Sequence, residues 1–367
     1  MRVPFYRFPL SLAVARGALN FRRHIIDSAD APAPVGFGLF DVAWGLQRTK
    51  IAGILVTSGI ADALGKDRRK PVELARELKF NPDVASRLVD AAVSSRLMKL
   101  DRSGRARLTA IGAPLRADHP RSMASWVAFQ ADPHTAAAYA HLDAQLRDGP
   151  QPSGFQREFE QSIWEYFTAR PAAGATFAEA MRQVSAFDLA AVVRAYPWPR
   201  RGVICDVGGG TGHLLAAILG RRREARGILV DSPEIIEEAE KVLRARGLAE
   251  RVECRAGDLF GELDARADVY TMKWILHDWS DDACRDMLTR VRATMPTGSK
   301  VVTIDFHREP GRPNTVTSML DFSMFVLFEG GRERTPDEVH GLMRDAGLIP
   351  GRVRHGGLLM LVEGIAP

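Results

Sequence analysis

Gly208, Gly210 and Gly212 stand two residues apart, directly after an apolar run, Val203-Ile204-Cys205-Asp206-Val207. A buried strand feeding such a loop lets backbone N–H groups approach a ligand without Cβ obstruction, where a helix begins near His213. The spacing is G-x-G-x-G, not the G-x-G-x-x-G of dinucleotide-binding loops, which weakens a pyrophosphate reading. Asp231 closes a second apolar run, Gly227 to Asp231, 19 residues past Gly212. A carboxylate there can accept both ribose hydroxyls of an adenosine. Loop and carboxylate together point to a nucleoside cofactor, whereas each alone fits a plain glycine turn or a helix-capping aspartate.

The elements that must position these residues follow an α/β rhythm over 203–363. Strands are expected at 203–207, 227–231, 252–255, 268–273 and 301–306, with a closing hairpin from 353–354 and 358–363. Ser232-Pro233 and Ser280 start helices, and Thr335-Pro336-Asp337-Glu338 is a capping box with proline at the first helical position. The front half reads differently. Helical patterning runs from about Phe37 to Ile60, Pro71 opens a short helix, and Asn81 caps another through Leu97. MKLDRSGRARLT then forms a hairpin around Ser103-Gly104. That order is a winged helix. Its reading helix carries Asp83 and Asp90 beside Arg87 and Arg96, a poor match to phosphates, so packing or dimerisation is the preferred use. Residues 121–200 are rich in aromatic side chains. The run WEYFTARPAAGATFAEAM suits either core or an apolar small-molecule pocket, and core is the better reading of the run alone.

Composition sets bounds on all this. The chain has 367 residues, 46% hydrophobic and 26% charged, enough for a sizeable core and two domains. Disordered, collagen-like and disulfide-stapled classes are excluded. Three scattered cysteines, Cys205, Cys254 and Cys284, suit a reducing cytoplasm and no zinc site. Residues 1–130 hold 21 Lys and Arg against 11 Asp and Glu, net +10, and the remainder holds 29 against 34, net −5. A basic front raises nucleic acid as a partner. No apolar run is long enough to span a bilayer. The segment MRVPFYRFPLSLAVARG has a weak leader-like look, but Arg7, Pro9 and Arg16 interrupt it, so it is read as mature chain. Ala31-Pro32-Ala33-Pro34-Val35-Gly36 reads as a linker.

DVGGGTG, GILVD-SPEII, GDLF, MKWILHDWSDD and GGRERT occur in that order. With them the chain resembles the class I S-adenosylmethionine-dependent O-methyltransferases, in the group of plant caffeate-type and bacterial secondary-metabolite enzymes. The resemblance covers roughly residues 45–365. It implies an α/β, Rossmann-like class I methyltransferase domain (201–367) and an N-terminal, mainly α winged-helix dimerisation domain (45–120). An extension (1–44) and a helical pocket segment (121–200) complete the expected organisation. By the same resemblance Gly208, Gly210 and Gly212 line the methionyl and ribose part of S-adenosylmethionine. Asp231 holds its ribose, Asp258 and Leu259 flank its adenine, and Lys273 lies against it. His277 is the implied general base, flanked by Asp305 and Glu333. Asp278 helps orient the acceptor. Trp164, Phe167, Phe177, Met181, Asp321, Met324, Phe325 and Phe328 line an acceptor pocket. The family usually has Glu where this chain has Asp305, one methylene shorter.

The chemistry fits these residue types. A sulfonium methyl is already electrophilic, so alignment matters most. A phenol titrates near ~10, and a neutral imidazole can take its proton as the methyl arrives. The resemblance implies a homodimer, and the cysteine usage a cytoplasmic one. The expected protein methylates a hydroxyl of a small aromatic natural product, releases S-adenosylhomocysteine, and needs no metal, membrane or nucleic acid. Two alternatives remain open at this point. One is N- or C-methylation, or a non-methylating decarboxylation or hydroxylation, in the same site. The other is a winged-helix DNA-binding regulator with a sensor domain.

Overall fold

Strand residues of the C-terminal half are apolar on both sides, and a strand of that kind is stable only with helices covering both faces of its sheet. The computed structural model describes residues 12–30, 37–306 and 308–367. Most of the leader-like segment, residues 1–11, and the expected linker, residues 31–36, lie outside the described residues. Of the described residues, those within 1–23, 141–163 and 185–367 form one compact unit. Those within 24–140 and 164–184 form a second.

The second unit contains the winged helix. Helices Gly45–Thr57, Ile60–Leu64, Pro71–Glu77 and Pro82–Ser94 precede a hairpin of β1 (Met98–Leu100) and β2 (Ala106–Leu108). The Asn81 side chain accepts the N–H groups of Asp83 and Val84, and Pro82 occupies the first helical position, so this helix starts where its sequence says. Leu55, Ile60, Leu64, Leu74, Val89 and Met98 bury its core. Arg87 is paired with Asp83 at 3.0 Å, which leaves the reading helix with less free positive charge than its arginines suggest.

The first unit holds β3 (Arg201–Val207), β4 (Glu224–Asp231), β5 (Val252–Ala256), β6 (Val269–Lys273), β7 (Lys300–Phe306), β8 (Ile349–Gly356) and β9 (Leu359–Ile365). Their order in the sheet is β5-β4-β3-β6-β7-β9-β8. β3 to β7 run parallel, and β9 is antiparallel to both β7 and β8. Alternate strand residues supply separate cores. Cys205, Tyr270, Met272 and Val301 pack on one side with helices Asp281–Thr294 and Pro336–Asp345. Ile204, Leu229, Val302 and Ile304 pack on the other with helices Leu189–Ala195, His213–Arg221 and Pro233–Ala245. Strand order reverses at β3, between β4 and β6. The carboxyl ends of the strands around such a switch point are where ligands bind in open α/β sheets. No described helix is long and apolar enough to cross a membrane.

Candidate active site

The glycine loop leaves β3 with φ of +67° at Gly208, +54° at Gly210 and +77° at Gly212, conformations that L side chains rarely adopt. A Cβ at Gly208 would lie 2.4 Å from Ile275 Cδ1, and Leu259 Cδ2 is 3.7 Å from the same point. A Cβ at Gly210 would meet no described residue within 4 Å, so that glycine is required by its φ and not by crowding. Asp231, at the end of β4, fastens the loop. One carboxylate oxygen accepts the Gly210 N–H at 2.8 Å and the other accepts the Ser232 N–H at 2.8 Å. Burial raises its pKa, against the pull of those two N–H groups.

Asp206 lies beneath the loop. The β3–β6 register sets it opposite Thr271, whose hydroxyl donates to Asp206 Oδ1 at 2.6 Å. Its Oδ2 is buried with no side-chain hydrogen-bond partner among the described residues, and burial pushes its carboxyl up to about 6. Two buried carboxylates beside a glycine loop offer acceptors to the hydroxyls of a nucleoside and suit a cofactor that carries positive charge. A cationic nucleoside therefore fits the residues present. Asp258 is exposed and accepts the Phe260 N–H at 2.9 Å, so it shapes the turn after β5.

Lys273 ends β6 with its ammonium donating to Ser185 Oγ at 2.8 Å. Burial lowers its pKa, opposed by Asp188, Asp305 and Asp206. Asp188, raised to about 6 by burial, keeps one buried oxygen without a partner among the described residues. This side-chain cluster was not foreseen from sequence.

His277 follows β6 on a short turn, Leu276–Asp278, and is buried. Its Nδ1 lies 2.9 Å from Glu333 Oε1, and its Nε2 lies 3.5 Å from Asp278 Oδ1. When Glu333 is ionised, its carboxylate at Nδ1 favours the tautomer with hydrogen there, leaving the Nε2 lone pair to take a proton. Glu333 is fully buried, and burial raises its pKa well above the ordinary range. The Glu333 N–H donates to Asp321 Oδ1 at 2.8 Å, and the Arg332 N–H donates to the His277 carbonyl at 2.8 Å. Arg334 completes the clasp. Its buried guanidinium bonds Asp281 and the carbonyls of Leu276 and Trp279. This explains why GGRERT and LHDW belong to one site. Asp305 is also buried near His277, but its Oδ1 has no hydrogen-bond partner among the described residues, as its shorter side chain suggests. The contact that orients the imidazole comes from Glu333.

Burial pushes Asp278 up to about 7 and Asp305 up to about 6, with neighbouring His277 opposing in both cases. An unfolded aspartate titrates near ~3.9. Between that pH and about 7 the fold keeps a proton on Asp278 that the unfolded chain has released. Stability is therefore fully present below ~3.9 and is lost as pH rises through the folded pKa. Asp278→Asn is expected to raise Tm over wild type by a few degrees at about pH 8, and by much less at about pH 4. Thermal melts at both pH values check this, and an equal gain at both would sink the assignment.

The remaining candidates fall in both units. In the first, a Cβ on Gly331 would sit 2.8 Å from Phe328 Cβ, 3.0 Å from the Met324 carbonyl and 3.1 Å from that of His277. Gly331 thus lets the end of helix Thr315–Leu327 approach the base. Phe325 lies on the same helix, and its carbonyl accepts from Gln145 at 3.1 Å. In the second unit Phe177 stacks on Phe167 at 4.8 Å and meets Trp164 edge-on at 5.7 Å. Met181 follows one turn along helix Pro171–Ser185.

Comparison with known proteins gives consistent matches. A family model described as an O-methyltransferase domain matches residues 139–349. An O-demethylpuromycin-O-methyltransferase from Streptomyces alboniger is 32% identical over 325 residues, covering 86% of this chain and 84% of that protein. The crystal structure of LaPhzM matches with a TM-score of 0.86 at 29% identity, covering 91% of this chain and 100% of that one. An aclacinomycin 10-hydroxylase from Streptomyces purpurascens is 33% identical over 289 residues, covering 77% of this chain and 76% of that protein.

Proposed function

We infer the reaction from one premise: this chain belongs to the O-methyltransferase family. It is an S-adenosylmethionine-dependent enzyme. We propose that it methylates a phenolic hydroxyl of a small aromatic natural product. The observation that carries this reading is His277, held at Nδ1 by Glu333 with Nε2 left to act as a base. Bound S-adenosylmethionine supplies an electrophilic methyl group and leaves as S-adenosylhomocysteine.

The chain's own residues do the rest. The Gly208–Gly212 loop and Asp231 hold the nucleoside, Asp258 and Leu259 flank its base, and Lys273 sits on the cofactor side. His277 takes the hydroxyl proton at Nε2, while Glu333 balances the imidazolium that forms. Asp305 adds negative charge nearby without holding the ring. Asp278 orients the acceptor, with Asp321, Met324, Phe325 and Phe328 as further contacts. Trp164, Phe167, Phe177 and Met181 are proposed as acceptor contacts on their chemistry alone. Leu39, Phe40, Val42, Trp44 and Leu46 expose large apolar side chains close together in sequence, which supports a homodimer through the N-terminal region. The free cysteines support a reducing, cytoplasmic location.

The 33% identical hydroxylase keeps a second reading in view, in which the same fold oxidises its substrate. Mass spectrometry separates the two. Purified protein with S-adenosylmethionine and a panel of phenols should give an O-methylated product and equimolar S-adenosylhomocysteine. A product that gains oxygen, loses a carboxyl group or carries the methyl on nitrogen would overturn the O-methylation proposal.

A further inference from the structure

Trp274 combines two local costs in one residue. Its φ is +58°, a region that a bulky aromatic side chain avoids. Its indole N–H is buried and has no hydrogen-bond partner among the described residues. Such strain persists only where the surroundings enforce it, and it clusters at functional sites. Here the backbone enforces it. The Trp274 N–H donates to the Ile304 carbonyl at 3.0 Å, continuing the β6–β7 pairing past Lys273 before the chain turns away.

The turn delivers the indole to a defined place. Its ring stacks on Phe306 at 5.7 Å with 21° between planes, and on His277 at 6.5 Å with 28°. The Lys273 ammonium lies over its face, 3.3 Å from the centroid, a cation–π contact in a desolvated setting. One ring therefore lies beside the proposed base and under the cofactor-side lysine. Glu333 fixes His277 only through one edge nitrogen, which leaves rotation about that hydrogen bond to be restrained by something flat against the ring.

We propose that Trp274 is a positioning residue, whose indole, offset and near-parallel beside the imidazole of His277, limits its rotation and carries the Lys273 ammonium on its π surface. The inference rests on the proposed role of His277. Its test separates ring, bulk and backbone. Trp274→Phe keeps an aromatic face, Trp274→Leu keeps bulk without one, and Trp274→Gly removes both while relaxing the positive φ. Melting curves establish that each variant is folded. In the ligand-free protein, the His277 ring resonance is assigned by its loss in His277→Ala. It is expected to move, and to change its pH titration, in the Leu and Gly variants and to stay near wild type in Phe. Turnover should fall about 10- to 100-fold in Leu and Gly and by no more than about 3-fold in Phe. A His277 resonance unmoved in Leu and Gly overturns the inference. So does a Gly variant with wild-type turnover, or a Phe variant as slow as Leu. Wild-type protein silent on methyl transfer sinks the functional reading instead, since the resonance test needs no turnover.

Discussion

His277→Ala is expected to lower turnover by about 10²-fold or more while leaving S-adenosylmethionine affinity within a few-fold of wild type. The proposed cofactor contacts lie on the glycine loop, Asp231 and the end of β6. His277 lies beyond them, on the turn that follows. Removing a base used only in the transition state lowers kcat and kcat/KM together. The fold should survive, because the carboxyl left behind can adjust. Glu333 is fully buried, and burial already raises its pKa, so on losing the imidazole it takes up a proton rather than remaining a bare buried anion. Glu333→Gln gives the companion result. It keeps the size of the side chain but withdraws the charge that balances the imidazolium, so a smaller loss of about 10-fold is expected, again in kcat. Steady-state kinetics with a responsive phenol, beside calorimetry of cofactor binding, measure both. Undiminished turnover in His277→Ala would show that another group accepts the proton. A loss confined to cofactor affinity would show that His277 is a binding residue.

How much of this site was legible depended on whether a residue's role is local. Glycines at alternate positions after an apolar strand announce their conformation, and all three have positive φ. Asp231 was legible from its distance to the loop, yet its two backbone hydrogen bonds were not, because they depend on how β4 lies beside β3. Asp206 reads as one more strand residue until the register sets it against Thr271. The contact between Lys273 and Ser185 joins residues 88 apart, and no periodicity encodes such a pairing. Glu333 entered through resemblance, and its physical reason appears only when Arg334 and the Arg332 N–H are seen to clasp the His277 turn. Helix Thr315–Leu327 was not delineated from sequence. TVTSMLDFSMFVL is apolar around much of its circumference, leaving Met319 and Phe322 exposed and no clear stripe to read. Trp274 runs against propensity, since nothing in MKWILHDW tells a reader that its tryptophan adopts a left-handed backbone.

Asp231→Ala is expected to weaken S-adenosylmethionine binding by about 10²-fold or more, from the loss of two hydrogen bonds to a charged acceptor, each worth roughly 1.5–3 kcal/mol. The carboxylate works on two sides. Each oxygen already accepts one backbone N–H, from Gly210 or Ser232, and an ionised carboxylate has about four acceptor sites in all. The remaining two are enough for the pair of ribose hydroxyls. The alanine variant loses the clamp on Gly210 together with the ribose contacts. Asp231→Asn should not rescue it. One of its two positions must be an NH₂ group, which meets either the Gly210 or the Ser232 N–H donor to donor. Acid should act in the same direction. Burial raises the Asp231 pKa, so cofactor affinity should begin to fall at a milder acidity than an exposed aspartate would give. Calorimetry of wild type, Asp231→Ala and Asp231→Asn from neutral to mildly acid pH tests all three expectations. Asparagine binding like wild type would mean that charge is dispensable and the carbonyl oxygen suffices. Alanine binding like wild type would make Asp231 a clamp for the glycine loop alone and move the ribose contact to another residue.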